Sequence, residues 1–346
     1  MKTRKRAAKT SETDSEDTNN KDKNNSKKPK QKSSAKTEKQ EKKKKTKSES
    51  KTTESNGSDS SMKRVVLRLE NVVRARVVSR PSKLVKSPYM ADILVRGDDS
   101  EQLCHSPALG CAGIITPGTQ VIVTPKTSVK SDAKSKYSLD LVDVGPSVVG
   151  VNPMMCNKMV RRALEEGWVQ HLPQFDKSEI KSEVTVDESR FDFKCTKDNV
   201  EYYIEVKGVP CACIEDVPVT AKKREAMMET INKAENKIAY FPDGYRKSTE
   251  EVISPRALKH VEHLTRISET SDAESVVCVL LFLVQRQDCV VFQPTHNDPV
   301  YREEVWRASR AGVRILAHTV HWSEAGVATW ADTLPLNLHD DQDTYQ

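Results

Sequence analysis

Nine consecutive apolar residues, "VVCVLLFLV" at positions 276–284, restrict this chain more than any other stretch. The run is too short to cross a bilayer, which takes about 20 residues, and it ends in the polar "QRQD". A strand with no polar side must be covered on both faces, so it reads as the central strand of a sheet flanked by helices. The neighbouring sequence supplies those helices. "PMMCNKMVRRALEEGW" follows Asn152 and reads as a capped helix, and "TAKKREAMMETINKAENKIAY" reads as a charged one. "SPRALKHVEHLTRISE" begins Ser-Pro and sets Leu258, Val261 and Leu264 on one side, while "DPVYREEVWRASRAGV" is a fourth helix that precedes the strand "VRILAHTVHW". "EVTVDESRFDFKC" and "VEYYIEVKGV" read as a strand pair across "TKDN". Residues 151–340 are thus expected to form a mixed α/β domain, a mixed sheet flanked by helices.

Upstream the pattern is different. Between 63 and 150, short alternating segments such as "MADILVRG", "TQVIVTPK" and "SLDLVDVG" are broken by Gly, Pro, Asp and Ser, with little helix. About five short strands in so few residues predict a small N-terminal β-barrel domain, OB-like in type. Residues 1–62 hold only five apolar residues, Met1, Ala7, Ala8, Ala35 and Met62. Such a segment cannot bury enough surface to offset roughly 1–2 kcal/mol of backbone entropy per residue, so a disordered Lys/Ser-rich tail is expected. A short flexible C-terminus is expected at 341–346. The tail has 19 basic and 10 acidic residues, a balance of +9 against +6 for the whole chain, so residues 63–346 carry −3. The basic character therefore belongs to the tail, where "KTRKRAAK" and "EKKKKTK" fit nuclear import, nucleic-acid attraction or simple solubilisation. No apolar leader or membrane span is apparent, so a soluble intracellular protein is expected, nuclear on the strength of the tail, with the cytoplasm as the alternative. The eight cysteines form no CxxC pair, which fits reduced buried thiols better than a zinc site.

The candidate chemistry lies in "YYIEVKGV", 202–209. Alternation along a strand sets Tyr203, Glu205 and Lys207 on one side and Tyr202, Ile204 and Val206 on the other. In "SRFDFKC", Phe191 and Phe193 point one way and Asp192 the other. Paired in register, the two strands would bring Asp192, Glu205 and Lys207 to one polar face. Two carboxylates suit Mg²⁺ (or Mn²⁺), and a lysine beside them suits the charge that develops in phosphoryl transfer. The alternative is a solvated cross-strand ion pair worth about 0.2–1 kcal/mol. His318 and His321 fall on opposite faces of their strand and do not suggest a shared metal.

The Asp…Glu-x-Lys pattern across two strands resembles the PD-(D/E)xK nuclease superfamily. The fuller set "VNPMMCNKMVRRALEEG", "SEVTVDESRFDF", "YYIEVKGV", "YFPDG", "LKHVEHL", "LLFLVQR", "DPVYREEV", "AGVRILAHTV" and "LPLNL" is similar, in order, to the sugar fermentation stimulation protein A (SfsA) family over roughly residues 65–338. The resemblance implies an OB-like barrel followed by a nuclease-like domain, and DNA, with RNA as the alternative, as partner. It implies Asp192 and Glu205 as metal-holding acids and Lys207 as the motif lysine. Glu183, Asp243, Lys259, His260 and Gln285 match further family positions as accessory candidates. For His260, a phosphate contact and a plain solvent-facing side chain both stay open. Two functions follow from the resemblance: a Mg²⁺-dependent nuclease, or a non-catalytic DNA-binding regulator on the same scaffold. A protein-interaction module with a vestigial site is a third. This chain departs from the family in the barrel, where "PALG" carries Ala108 and Leu109 in place of two polar residues, and in insertions around "KKREAMMETINKAEN" and "KSTEEVISP".

Overall fold

A computed structural model describes residues 64–338 except 109–110, 112, 127–134, 216–220 and 245–250, with backbone alone at 221–225. The basic tail, the 341–346 terminus and Leu109 of "PALG" lie outside the described residues.

β1 (Val65–Arg68) precedes five strands that curl into a barrel: β2 (Val73–Ser79), β3 (Met90–Val95), β4 (Glu101–His105), β5 (Gln120–Pro125) and β6 (Tyr137–Asp143). Their order is β4-β3-β2-β5-β6, and a parallel β4–β6 pairing closes the ring. This closed five-stranded barrel is the OB-like arrangement, and alternate residues such as Val77, Ile93, Val121, Val123 and Leu139 fill its interior. β7 (Val148–Gly150) leads out of it.

The second part follows as α1 (Cys156–Glu165), β8 (Ile180–Val186), β9 (Ser189–Lys197), β10 (Val200–Val209), β11 (Ala212–Cys213) and α2 (Ala221–Lys233). It continues through β12 (Lys237–Phe241), α3 (Pro255–Thr270), β13 (Val276–Val284), β14 (Cys289–Pro294), α4 (Pro299–Arg310), β15 (Arg314–Trp322) and β16 (Val327–Thr333). Local signals explain the boundaries. Asn152 caps a 3-10 turn that opens α1, Ser254 caps α3 and Asp298 caps α4, each with Pro directly after the cap. Asp198 and Asn199 both take positive φ in the two-residue turn between β9 and β10, a conformation those residue types tolerate.

The main sheet runs β8-β9-β10-β13-β15, with β16 beside β15 and β1 beside β16. β10, β13 and β15 are parallel, and β13 lies between the other two. Its apolar run is divided between two cores. Val279, Leu281 and Leu283 pack with Met159, Val160, Ala163 and Leu164 of α1, while Leu280, Phe282 and Val284 pack with Val261, Leu264, Tyr301 and Val305 of α3 and α4. That is the mixed α/β fold expected from 276–284. β1 pairs with β16 instead of a barrel strand, and β7 meets β15 at Val148↔Trp322, so barrel and sheet are continuous. A small sheet, β11-β12-β14, lies apart. All eight cysteines are buried and unbridged. Among the described residues, no helix is long and apolar enough to cross a membrane.

One expectation fails. Phe191 and Phe193 do not share a face: Phe193 joins the α1-side core, whereas Phe191 packs 6.1 Å from Tyr203 and 5.2 Å from His263 on the α3 side. The β9–β10 ladder ends at Ile204↔Phe193. Past that point the strands separate, and period-two alternation no longer fixes direction. Asp192 is the residue at the split.

Candidate functional site

β10 sends Glu205 and Lys207 to the side covered by α3, as alternation requires, and Leu280 and Phe282 of β13 stand opposite them. Glu205 is only 3% exposed. Its Oε1 accepts hydrogen bonds from Lys207 Nζ and His260 Nδ1, each at 2.5 Å. A carboxylate only accepts, so Nδ1 is the protonated nitrogen in that contact. Burial opposes the charge on Glu205, but the hydrogen bond from His260 and the Lys207 charge outweigh it and hold the carboxyl below its usual range. Its other oxygen, Oε2, is buried with no hydrogen-bond partner.

Asp192 enters from the split between β9 and β10. Val206 N donates to its Oδ2 at 2.7 Å, so a side chain takes the place of the backbone carbonyl that β9 would have offered. Asn157, in the first turn of α1, donates to Oδ1, also at 2.7 Å. The α1 N-terminus thus faces a carboxylate, the favourable sign for its dipole. Burial raises the Asp192 pKa and the negative Glu205 adds to it, against the Val206 and Asn157 donors and the Lys207 charge. The charge held on Glu205 therefore disfavours a second charge on Asp192 beside it.

Gln285 and Gly208 hold α1 at this point. Gln285 is buried; its Nε2 donates to Cys156 Sγ at 2.8 Å and its Oε1 accepts from Trp322 Nε1 at 2.9 Å. A Cβ on Gly208 would lie 2.6 Å from Cys156 Sγ, so glycine is what lets the helix approach the strand that carries Glu205 and Lys207.

Asp192, Glu205, Lys207 and His260 are thus brought together, and His260 is a buried partner of Glu205, not a solvent-facing residue. The remaining accessory candidates stand elsewhere. Glu183 makes an exposed ion pair with Arg190, and Lys259 makes one with Glu188. Asp243 accepts from Tyr240 Oη at 3.2 Å, on the side of β12 that packs with Cys211 and Cys213. Gln285 acts through α1. Sequence reasoning missed Asn157. It had a signal in its place just after the Asn-Pro cap, where a helix N-terminus points at whatever it binds.

The donor set fits a hard divalent cation: two adjacent carboxylates, one with a buried unmatched oxygen, and no thiolate or free imidazole. Among the described residues, no group of three or more His, Cys, Asp and Glu side chains is disposed to hold a metal, so backbone and solvent oxygens would complete the coordination.

Comparisons with known proteins agree with this architecture. The family described as "Sugar fermentation stimulation protein RE domain" matches residues 154–326, half of the chain. The "Sugar fermentation stimulation protein homolog" of Clostridium tetani is 30% identical over 252 residues, 72% of this chain and 90% of that protein. The Clostridium novyi homolog is 29% identical over 75% of this chain and 94% of its own length. The structure of Pyrococcus furiosus SfsA in complex with Ca²⁺ superposes with a TM-score of 0.60 at 17% identity, covering 79% of this chain and 99% of that one. Fold, order of elements and extent of the match lead to one conclusion: the chain belongs to the sugar fermentation stimulation protein (SfsA) family.

Proposed function

We propose that this protein is a divalent-cation-dependent phosphodiesterase acting on nucleic acid, DNA first and RNA as the alternative, with Mg²⁺ or Mn²⁺ as the cation. The observation that carries this reading is the buried Glu205, with its Oε2 unmatched, Lys207 beside it and the half-buried Asp192 carboxylate next to it. The Ca²⁺ bound to the Pyrococcus protein accords with a divalent site. Asp192 and Glu205 would hold the cation. The Val206 carbonyl is a further ligand candidate, because N–H and C=O of one strand residue face the same side and the Val206 N–H faces Asp192. When bound, such a cation polarises the scissile phosphate and lowers the pKa of an attacking water. Asn157 and Val206 N orient Asp192, and His260 steadies Glu205 from behind. Lys207, held within reach by Glu205, donates toward the attacking oxygen and the developing phosphorane charge. The −3 balance of residues 63–346 leaves the +9 tail as the natural contact for a polyanion, beside its reading as a nuclear import signal.

A second reading has its own support. Lys207 and His260 already bind Glu205 Oε1, which leaves that acid satisfied on one side without any metal. On this reading the scaffold binds nucleic acid without cutting it. The test is incubation of the full chain with single- and double-stranded DNA and RNA plus Mg²⁺ or Mn²⁺, beside Asp192→Asn and Lys207→Ala. Cleavage lost in both variants supports the phosphodiesterase. Equal background in all three overturns it, and salt-dependent binding without cleavage supports the second reading.

A further inference from the structure

Tyr301 is fully buried, and its hydroxyl has no hydrogen-bond partner. A tyrosine hydroxyl taken out of water ordinarily finds a partner, because leaving it alone costs more than the ring gains by one more buried atom. The position of the ring indicates where that partner lies. Tyr301 is the third residue of α4, with its backbone N–H tied to Asp298 Oδ1 at 3.1 Å. Its ring meets Phe241 edge-on at 5.6 Å, and Phe241 lies 5.9 Å from Phe282. Phe282 is the register partner of Lys207, and Leu280, two residues earlier, is the partner of Glu205. Tyr301 therefore lies over the sheet face that bears the two charged residues. Glu205 Oε2 is an unmatched acceptor on that face, and Tyr301 Oη is an unmatched donor from α4 above it. Burial, and the charges of Glu205 and Asp298, push the phenol well above its ordinary pKa, so it stays protonated and can only serve the carboxylate as a donor.

We propose that Tyr301 is a positioning residue for Glu205, its hydroxyl donating through one bridging water to Oε2 and so fixing the carboxylate oxygen that Lys207 and His260 leave free. A water in that place has the two polar partners it needs, one from β10 and one from α4. Glu205 is then held from both ends: Oε1 by Lys207 and His260, Oε2 by Tyr301. The helix that closes the α3/α4 core would then also set the aim of the acid.

The first test needs no metal. Full-length wild type, Tyr301→Phe, Glu205→Ala and the double variant are unfolded in urea with EDTA present. Tyr301→Phe is expected to lower the unfolding midpoint of wild type and to have little effect once Glu205 is replaced. A midpoint unchanged or raised by Tyr301→Phe, or lowered equally in both backgrounds, overturns the proposal, since a ring that merely packs would give that result. The second readout rests on the cation-site reading of Asp192 and Glu205. In Mn²⁺ titration calorimetry, Tyr301→Phe is expected to weaken affinity roughly 10-fold, the usual effect of removing a group that orients a ligand. Unchanged affinity overturns the role of Tyr301 while leaving the cation site intact. A wild type that takes no Mn²⁺ overturns the phosphodiesterase instead, and the urea cycle alone then decides Tyr301.

Discussion

Asp192 is the obvious residue to delete in a search for catalysis, and the structure says that deletion by alanine changes more than catalysis. Asp192→Ala removes the acceptor for Val206 N and for Asn157 Nδ2, both at 2.7 Å and both at the split between β9 and β10. Each hydrogen bond to an ionised group contributes about 1.5–3 kcal/mol. Against that, burial and the neighbouring Glu205 already disfavour the Asp192 charge, and alanine relieves both. The balance is a net loss of about 2–3 kcal/mol, most of it from the orphaned Val206 N–H. Asp192→Asn behaves differently. An amide still accepts from Val206 N through its oxygen, and its NH₂ can donate to Asn157 once the Asn157 amide turns over. Both contacts survive without the charge, so the cost should stay below about 1 kcal/mol, as for a neutral hydrogen-bond exchange. Urea unfolding followed by tryptophan fluorescence measures the difference, because Trp168, Trp322 and Trp330 all line the α1-side core. If Asp192→Asn loses as much as Asp192→Ala, or if Asp192→Ala unfolds at the wild-type midpoint, the carboxylate does not bridge the split strands and Asp192 is not aimed by α1 and Val206. If the difference holds, only the asparagine variant is a clean probe of cation binding.

Two further perturbations probe the frame around the site. Asp288 is shared by two fully buried cations, Lys237 (Nζ to Oδ2, 2.7 Å) and Arg286 (Nε to Oδ1, 2.6 Å), so Asp288→Asn should cost about 3 kcal/mol or more in chemical denaturation. The same pair sets an acid limit: despite burial, Arg286 and Lys237 hold the Asp288 carboxyl down at about 2. A depressed folded-state value means its stabilisation is complete above the ordinary carboxylate range and is lost as pH falls from about 4 toward 2, a change of about 2 kcal/mol seen as a falling denaturation midpoint. Gly208→Ala forces a Cβ to within 2.6 Å of Cys156 Sγ, an overpacking cost of about 1–3 kcal/mol that Cys156→Ala in the same chain should partly restore. Failure of that restoration would mean that α1 and β10 do not meet at Cys156 and Gly208.

The legible parts of the molecule were those in which one residue pattern has one physical outcome. The nine apolar residues at 276–284 had to be covered on both faces, and Asn152, Ser254 and Asp298 each precede a proline at a helix start, so the central strand and three helix starts could be read directly. Glu205 and Lys207 shared a face because β10 stays regular through them. Legibility ended where side-chain chemistry overrides the period of the backbone. Nothing in "SRFDFKC" says that Asp192 will bind the Val206 N–H and separate Phe191 from Phe193. The pairing of β1 with β16, some 260 positions apart, and the burial of His260 against Glu205 are likewise long-range outcomes that no local window contains.

That division bears on how the site is built. The two motif residues on the regular strand, Glu205 and Lys207, neutralise each other across a 2.5 Å contact and would do so in any sheet with their spacing. What turns an ion pair into a candidate cation site is the third residue, Asp192, whose placement depends on α1. Asn157 holds its Oδ1, and α1 comes close enough for that only because Gly208 has no side chain and Gln285 fastens Cys156 to Trp322 of β15. Trp322 is also the residue at which β15 meets β7, the strand that leaves the barrel. The aim of Asp192 is therefore tied, through Gln285 and Trp322, to the seam between barrel and sheet. Trp322→Phe, which keeps an aromatic ring but removes the indole donor to Gln285, should leave the Glu205–Lys207 pair in place while loosening Asp192. Its effect should then emerge in cation affinity before it emerges in the fold. An equal loss of both would mean that the seam only supports the sheet and has no part in setting the site.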